Sequence, residues 1–298
     1  MMLLSYWKKF KYLFANTLYR SLHPAPKDAI TLNGWILAKR DGVCKRNFGD
    51  ELNVYMLQEL TERPVSIYKS WFHASRENYL VIGSLIDRFT DSQSVIWGSG
   101  ILSDAVPLPH KPKRVCAVRG KITRNYLLHN GVECPEVYGD PALLLPLVYR
   151  PEVTKRYKLG IIPHIHDLSD PLVINFVESN KDSVCLIDFA HYGDWREVVD
   201  LICSCECVVS SSLHGLILSD AYHIPNLWIK ISDRVNGGDC KFLDYFSGVG
   251  RSTTSAFVMT AGTTLTDFAE PLKAYKDIDY NPQELVAACP FKLNIPNS

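Results

Sequence analysis

Long apolar runs are missing from this chain. No stretch reaches the roughly 18 apolar residues that carry a helix across a bilayer, so the expectation is a fold without membrane-spanning helices. Net charge is missing as well, because 32 Lys and Arg offset 32 Asp and Glu. With no overall field of one sign, nothing in the composition draws the chain to nucleic acid. There is no repeat at a solenoid period and no Cys-x-x-Cys pair of the kind that opens a zinc site. The nine cysteines are not preceded by an apolar leader with a small-residue cleavage site. Reduced thiols in a cytoplasmic protein are therefore expected. Cys203, Cys205 and Cys207 alternate, which suits small side chains on one strand face better than metal ligands.

What is present is a sizeable core. Apolar residues make up 47% and charged ones 21% of 298 residues, enough for one large domain or two of ordinary size. Short apolar runs alternate with helical patterns. Ile30–Leu37, Tyr79–Gly83, Ser94–Gly98 and Val115–Val118 read as strands, and Gly49–Glu62 as a helix. A break falls at Pro146–Pro151, and the pattern then restarts. Leu159–His164, Ser183–Ile187, Cys207–Ser210 and Leu227–Ile229 read as strands. Val173–Val177, Trp195–Ile202 and Leu216–Tyr222 read as helices between them. This order predicts an α/β fold with parallel sheets and crossover helices, in two doubly wound, Rossmann-like domains facing a cleft. The expected division is an N-terminal helix and linker over 1–26, a first α/β domain over 27–150 and a second over 151–298. The second includes a helical C-terminal tail from about Thr264.

The segment Ser5–Leu22 carries Trp7, Phe10, Leu13, Phe14, Leu18 and Leu22 at three- and four-residue spacing, with Lys8, Lys9, Lys11 and Arg20 among them. An amphipathic helix follows, and two fates compete for it. It packs on the protein, or it lies in a membrane interface.

Chemistry concentrates at strand ends. Ser210-Ser211-Ser212-Leu213-His214-Gly215 stands between an apolar strand and a helix. In open α/β sheets ligands bind outside the carboxyl ends of strands, where helix N-termini favour anions. His214 is expected to be the one group at that edge able to move a proton near neutral pH, or else only to cap the helix or pack in the core. Arg119 ends the apolar run Val115–Val118, where a guanidinium suits a carboxylate or phosphate. Asn47, Gly49 and Asp50 stand at a strand-to-helix loop. Asp50 is a candidate proton acceptor or sugar ligand, with helix capping as the alternative. Gly98-Ser99-Gly100 lets backbone approach a ligand. His164 falls at the same cleft edge by pattern, before Ile165-His166-Asp167, and Asp140 before Pro141 is expected to organise the domain junction.

Taken in order, Asn47–Asn53, Val115–Leu128, Val137–Leu144 and Leu213-His214-Gly215 resemble the polysaccharide pyruvyl transferase family over about residues 47–250. The resemblance implies a GT-B-like pairing of the domains, with the tail crossing back to the first. It implies transfer of pyruvate from phosphoenolpyruvate to two sugar hydroxyls as a ketal, with phosphate released, in bacterial capsule or exopolysaccharide synthesis. No cofactor or metal is implied. His214 and Asp50 become the catalytic candidates, with Arg119, Ser211 and Ser212 as substrate ligands. Asn47, Gly49, Gly98, Ser99, Gly100 and His164 join them. One departure stands out: many relatives carry arginine where this chain has Ser212. Lys241 is then a candidate for the second cation, beside Arg251 and Lys121. A polyprenyl-diphosphate-linked acceptor would give the basic segment 5–22 a use at the inner membrane face, with the protein cytoplasmic and peripheral. A nucleotide-sugar glycosyltransferase and a non-catalytic membrane-surface family member remain the alternatives.

Overall fold

The computed structural model describes residues 26–36, 38–39, 42–43, 47–68 and 76–295; the expected helix Ser5–Leu22 lies outside them. The first half builds a parallel sheet from β1 (Ile30–Leu32), β2 (Val65–Ile67), β3 (Asn78–Leu80), β4 (Ser94–Trp97) and β5 (Arg114–Ala117). The helices between them include α1 (Phe48–Thr61), α2 (Ile86–Phe89) and, after β5, α3 (Lys121–His129). A 3-10 helix, Pro141–Leu147, leads to the second half.

The second half repeats the scheme. Its strands are β6 (Tyr157–Ile162), β7 (Val184–Leu186), β8 (Cys205–Ser210), β9 (Asn226–Lys230) and β10 (Phe257–Val258). Its helices are α4 (Pro171–Ser179), α5 (Trp195–Cys203), α6 (Leu213–Ala221) and α7 (Cys240–Gly248). Two short helices, α8 (Ala269–Lys273) and α9 (Pro282–Ala287), follow.

Both five-stranded sheets are parallel, with spatial orders β2-β1-β3-β4-β5 and β7-β6-β8-β9-β10. Each is the 2-1-3-4-5 order of a doubly wound sheet. With right-handed crossovers, the reversal of order sends helices to opposite faces. Burial on both faces explains why the strands read as unbroken apolar runs, as in the fully buried β4. Local signals set the helix starts: Asp170 before Pro171 caps α4, and Asp194 with Glu197 forms a capping box on α5.

Within the described residues the elements expected from the sequence are present, with shifted ends. The strand expected over Ile30–Leu37 stops at Leu32. The helix expected from Leu216 starts three residues earlier, which draws His214 and Gly215 into its first turn. β2, α2, β10 and the Pro141 helix had not been expected.

One continuous core joins the halves. Phe48 on α1 packs against Phe189 at 5.0 Å between ring centroids, and its N–H donates to the Phe189 carbonyl at 2.8 Å. The tail returns to the first half. Trp97 donates its indole N–H to the Leu285 carbonyl at 2.9 Å, and Phe291 packs on Tyr79 at 4.5 Å.

α7 is locked to α3 at close range. A Cβ on Gly120 would fall 1.7 Å from the Asp244 carbonyl oxygen, so the helices approach this closely only because position 120 is glycine.

Candidate active site

The order of each sheet reverses between its first and third strands, and ligands collect at such switch points. Here both switch points open on one cavity of about 310 Å³. From the first half come Trp35 after β1, Asn47 and Asp50 at the start of α1, Ser84 after β3 and Leu102 after β4. From the second come His164, Ile165 and His166 after β6, Ser212 to His214 at the start of α6, and Asn236 and Lys241.

The α6 start is shaped by serines. Ser210 donates its hydroxyl to the Ile162 carbonyl at 2.9 Å and accepts from the Ser212 N–H at 3.0 Å. Ser211 accepts from the His164 N–H at 2.9 Å, so it ties the β6 loop to the β8 loop and does not line the cavity. Ser212 sits at the N-cap position and does line it. The N–H groups of Leu213 and His214, in the first turn of α6, have no intrahelical acceptor. The positive end of the helix therefore faces the cavity.

His214 is almost fully buried. Its Nε2 lies 3.8 Å from Oδ2 of Asp140, and among the described residues neither atom has a hydrogen-bond partner. Asp140 spends its other oxygen on the Ala142 N–H at 3.0 Å, which caps the 3-10 helix. Gly49 makes room for the imidazole, since a Cβ there would lie 2.0 Å from Nδ1.

Burial, then the nearby charges of Arg119 and Lys241, hold the His214 imidazole down to about 3. Burial, Lys241 and His166 do the same to His164, also to about 3. Burial works the other way on the carboxyls. Asp50 is pushed up to about 7 even though Lys241 and the Asn47 amide, 2.9 Å from Oδ2, oppose the shift. Asp140 also rises to about 7 by burial. Lys241 falls to about 8 through burial and the field of Arg119. Near neutral pH both imidazoles are neutral, and the two carboxyls are poised to take or give a proton. This corrects the expectation that His214 alone at this edge exchanges protons near neutrality.

Lys241 is nearly buried on α7, and among the described residues its ammonium has no carboxylate within ion-pair distance. Of the four cations singled out in the sequence it is the one in the cavity wall. Arg251 donates to Asp220 at 3.0 Å, and Lys121 is exposed at the start of α3. Arg119 is completely buried behind the wall. Its Nε donates to Asp244 at 2.9 Å, Nη1 to the Ser84 hydroxyl at 2.7 Å and Nη2 to the Ile101 carbonyl at 2.8 Å. Asp244 also accepts from the Thr123 N–H at 2.8 Å and hydroxyl at 2.7 Å. The pair thus fixes α7, and with it Lys241 one turn away.

Gly98, Ser99 and Gly100 support the wall without forming it. Gly98 has φ +82° and lies under Pro141, Ser99 donates to the Gly83 carbonyl at 2.8 Å, and Gly100 abuts the Arg119 guanidinium. Sequence reasoning missed Asp140 as the partner of His214, and it missed Trp35, Ser84, His166 and Asn236. Gly139-Asp140-Pro141 was visible as a motif, but nothing in one sequence told that its carboxylate meets a helix three strands later in the chain.

Two doubly wound lobes that share one cavity at their switch points define the class: a two-lobed α/β protein with a cleft between its sheets. Comparison with known proteins then narrows it. The model of the polysaccharide pyruvyl transferase family matches residues 47–233, and this chain belongs to that family. It is 30% identical to the uncharacterized protein L143 of Acanthamoeba polyphaga mimivirus over 234 residues, 75% of this chain and 79% of that one. It is 27% identical to the succinoglycan biosynthesis protein ExoV of Rhizobium meliloti (strain 1021) over 214 residues. That match covers 68% of this chain and 62% of ExoV, so the chain spans less than two thirds of that relative. Family membership supports a transferase. Among the described residues no helix is long and apolar enough to cross a membrane.

Proposed function

We propose that this protein transfers the pyruvyl carbons of phosphoenolpyruvate to two hydroxyls of a sugar, forming a ketal and releasing phosphate. What supports the reading, beyond family membership, is one arrangement. A buried ammonium that among the described residues has no carboxylate partner, and the first turn of α6, face the same cavity as His214, behind which lies the buried Asp140.

The demands of the reaction meet these groups one by one. The donor carries a carboxylate and a phosphate, for which Lys241, the α6 N–H groups and the Ser212 hydroxyl are the ligands. The methylene carbon takes a proton as C2 turns electrophilic. A sugar hydroxyl then attacks C2 and gives up its proton, with Asp50 as the acceptor. Phosphate leaves from C2, and the second hydroxyl closes the ketal, its proton going with the phosphate. The proton for the methylene belongs to the His214–Asp140 pair, which holds one between its members near neutrality. A bound anion offsets the field of Arg119 and Lys241, and so draws that proton onto the imidazole. Arg119 contributes from behind the wall, through Ser84 and through α7. The acceptor is a lipid-linked oligosaccharide in this reading, met from the cytoplasmic side in a GT-B-like cleft.

The direct test is phosphate release from phosphoenolpyruvate across free and lipid-linked galactosides, glucosides and mannosides. Release without any acceptor requirement, or turnover of UDP- or GDP-sugars instead, would replace this reading with a hydrolase or a glycosyltransferase.

Lys241→Met tests the anion site. Its loss is expected to weaken phosphoenolpyruvate binding by about tenfold or more, the scale of one charge-assisted hydrogen bond. In the wild type, donor affinity is expected to fall as pH rises from 7 to 9. Above 7 the donor phosphate is already fully charged. Asp50 and Asp140 lose their protons near 7 and Lys241 loses its own near 8, and each loss disfavours an anion. Calorimetric titration of both proteins reads the result. A pH-independent affinity, or an unaltered one in Lys241→Met, excludes Lys241 from the donor site.

A further inference from the structure

The cavity has a wall that the donor chemistry leaves unused. Trp35 stands at its mouth with 53% of its surface exposed, on the turn that ends β1. Leaving half an indole in water forfeits apolar burial, and the turn is built to hold it there. Asn33 anchors the entry by donating its amide to Asn78 at 3.1 Å and to the Phe89 carbonyl at 2.9 Å. Ile36 anchors the exit by being buried. The indole itself leans edge-on against Phe89, with centroids 4.7 Å apart and planes at 88°. The side chain is therefore an ordered, half-bare aromatic face at the lip of a cavity whose deeper wall is polar.

We propose that Trp35 is the stacking platform for the acceptor, a hexopyranose ring lying C–H face down on the indole. The proposal rests on the reading of this cavity as the transfer site and adds where the sugar lies. The ring face of an indole is electron-rich and attracts the partly positive C–H edges of a sugar, while the hydroxyls stay free for polar partners. His166 and Asn236, on the opposite lobe, line the same cavity and supply such partners. A sugar held at the mouth faces Asp50 on the same lobe and the Lys241–α6 region opposite. That division puts the donor deep and the acceptor outside it.

The test compares Trp35→Ala and Trp35→Phe with the wild type. Turnover is read as separate KM values for acceptor and phosphoenolpyruvate. Binding of methyl galactosides, glucosides and mannosides is read by tryptophan fluorescence and calorimetry without any donor. Trp35→Ala is expected to raise the acceptor KM by about three- to tenfold, the range of one aromatic stacking contact, with the phosphoenolpyruvate KM unchanged. Trp35→Phe is expected to recover most of that loss. Sugar binding that is lost in Trp35→Ala although phosphoenolpyruvate is never turned over would keep the platform and overturn the transferase reading. An acceptor KM unmoved in Trp35→Ala, a donor KM that moves equally, or no binding of any of these sugars to the wild type would overturn the platform.

Discussion

His214→Ala is expected to lower kcat for phosphoenolpyruvate-dependent transfer by about 10²–10⁴-fold, the usual worth of a positioned acid–base group. The reasoning starts from what the imidazole faces. It is buried, among the described residues unpaired at Nε2, and 3.8 Å from an equally unpaired carboxylate oxygen. Asp140→Asn keeps the cap on the 3-10 helix in shape but cannot share a proton, so it is expected to fall in the same direction. The double variant should be little worse than either single one, because groups that act as a unit lose their effect together. Circular dichroism and the thermal midpoint serve as the check that the fold survives. Activity within about threefold of wild type in His214→Ala, with the fold intact, would remove the pair from the mechanism.

The second large effect is on stability. Arg119 and Asp244 are both completely buried, and they are joined at 2.9 Å. Breaking such a pair by removing one partner strands a charge in the interior, which costs about 3–5 kcal/mol. Arg119→Met and Asp244→Leu are each expected to lose that much in urea unfolding. The double variant should lose clearly less than the two singles added together, since neither charge is then stranded. Single losses under about 1 kcal/mol, the worth of an exposed pair, would show that water reaches the site. Because α7 carries both Asp244 and Lys241, donor binding should weaken in both single variants even where folding is retained.

Much of the architecture was legible because it follows from short-range pattern. Strands buried on both faces announce themselves as apolar runs, and that is why both sheets could be anticipated from stretches such as Ser94–Gly98 and Cys207–Ser210. Strand order was not legible, since it depends on pairing between segments far apart. Asn47, Asp50, His164, Ser212, His214 and Lys241 were all named from the sequence, and the fold gathers them into one wall system. All but Lys241 were readable because each ends a strand or opens a helix, and such positions reach the crevice; Lys241 was named because Ser212 left a second cation to be found. Arg119 has the same signature, yet it is turned inward. What decides its direction is Asp244, 125 residues away, on a helix of the other half. Trp35 escaped notice for the opposite reason: exposure is a property of the finished surface, and a tryptophan in a sequence reads as core.

The return of the tail has a consequence for synthesis on the ribosome. The indole of Trp97, on the fourth strand of the first sheet, bonds a carbonyl that lies 188 residues later. At about 5–20 residues per second, translation leaves that donor waiting for about 10–40 s. During this time the first lobe has its strands but lacks Leu285 and Phe291 to cover them. A nascent chain stalled after β10 should therefore be cut by protease within the first lobe at sites that the finished protein protects. Equal protection of the two would mean that the first lobe matures without its strap.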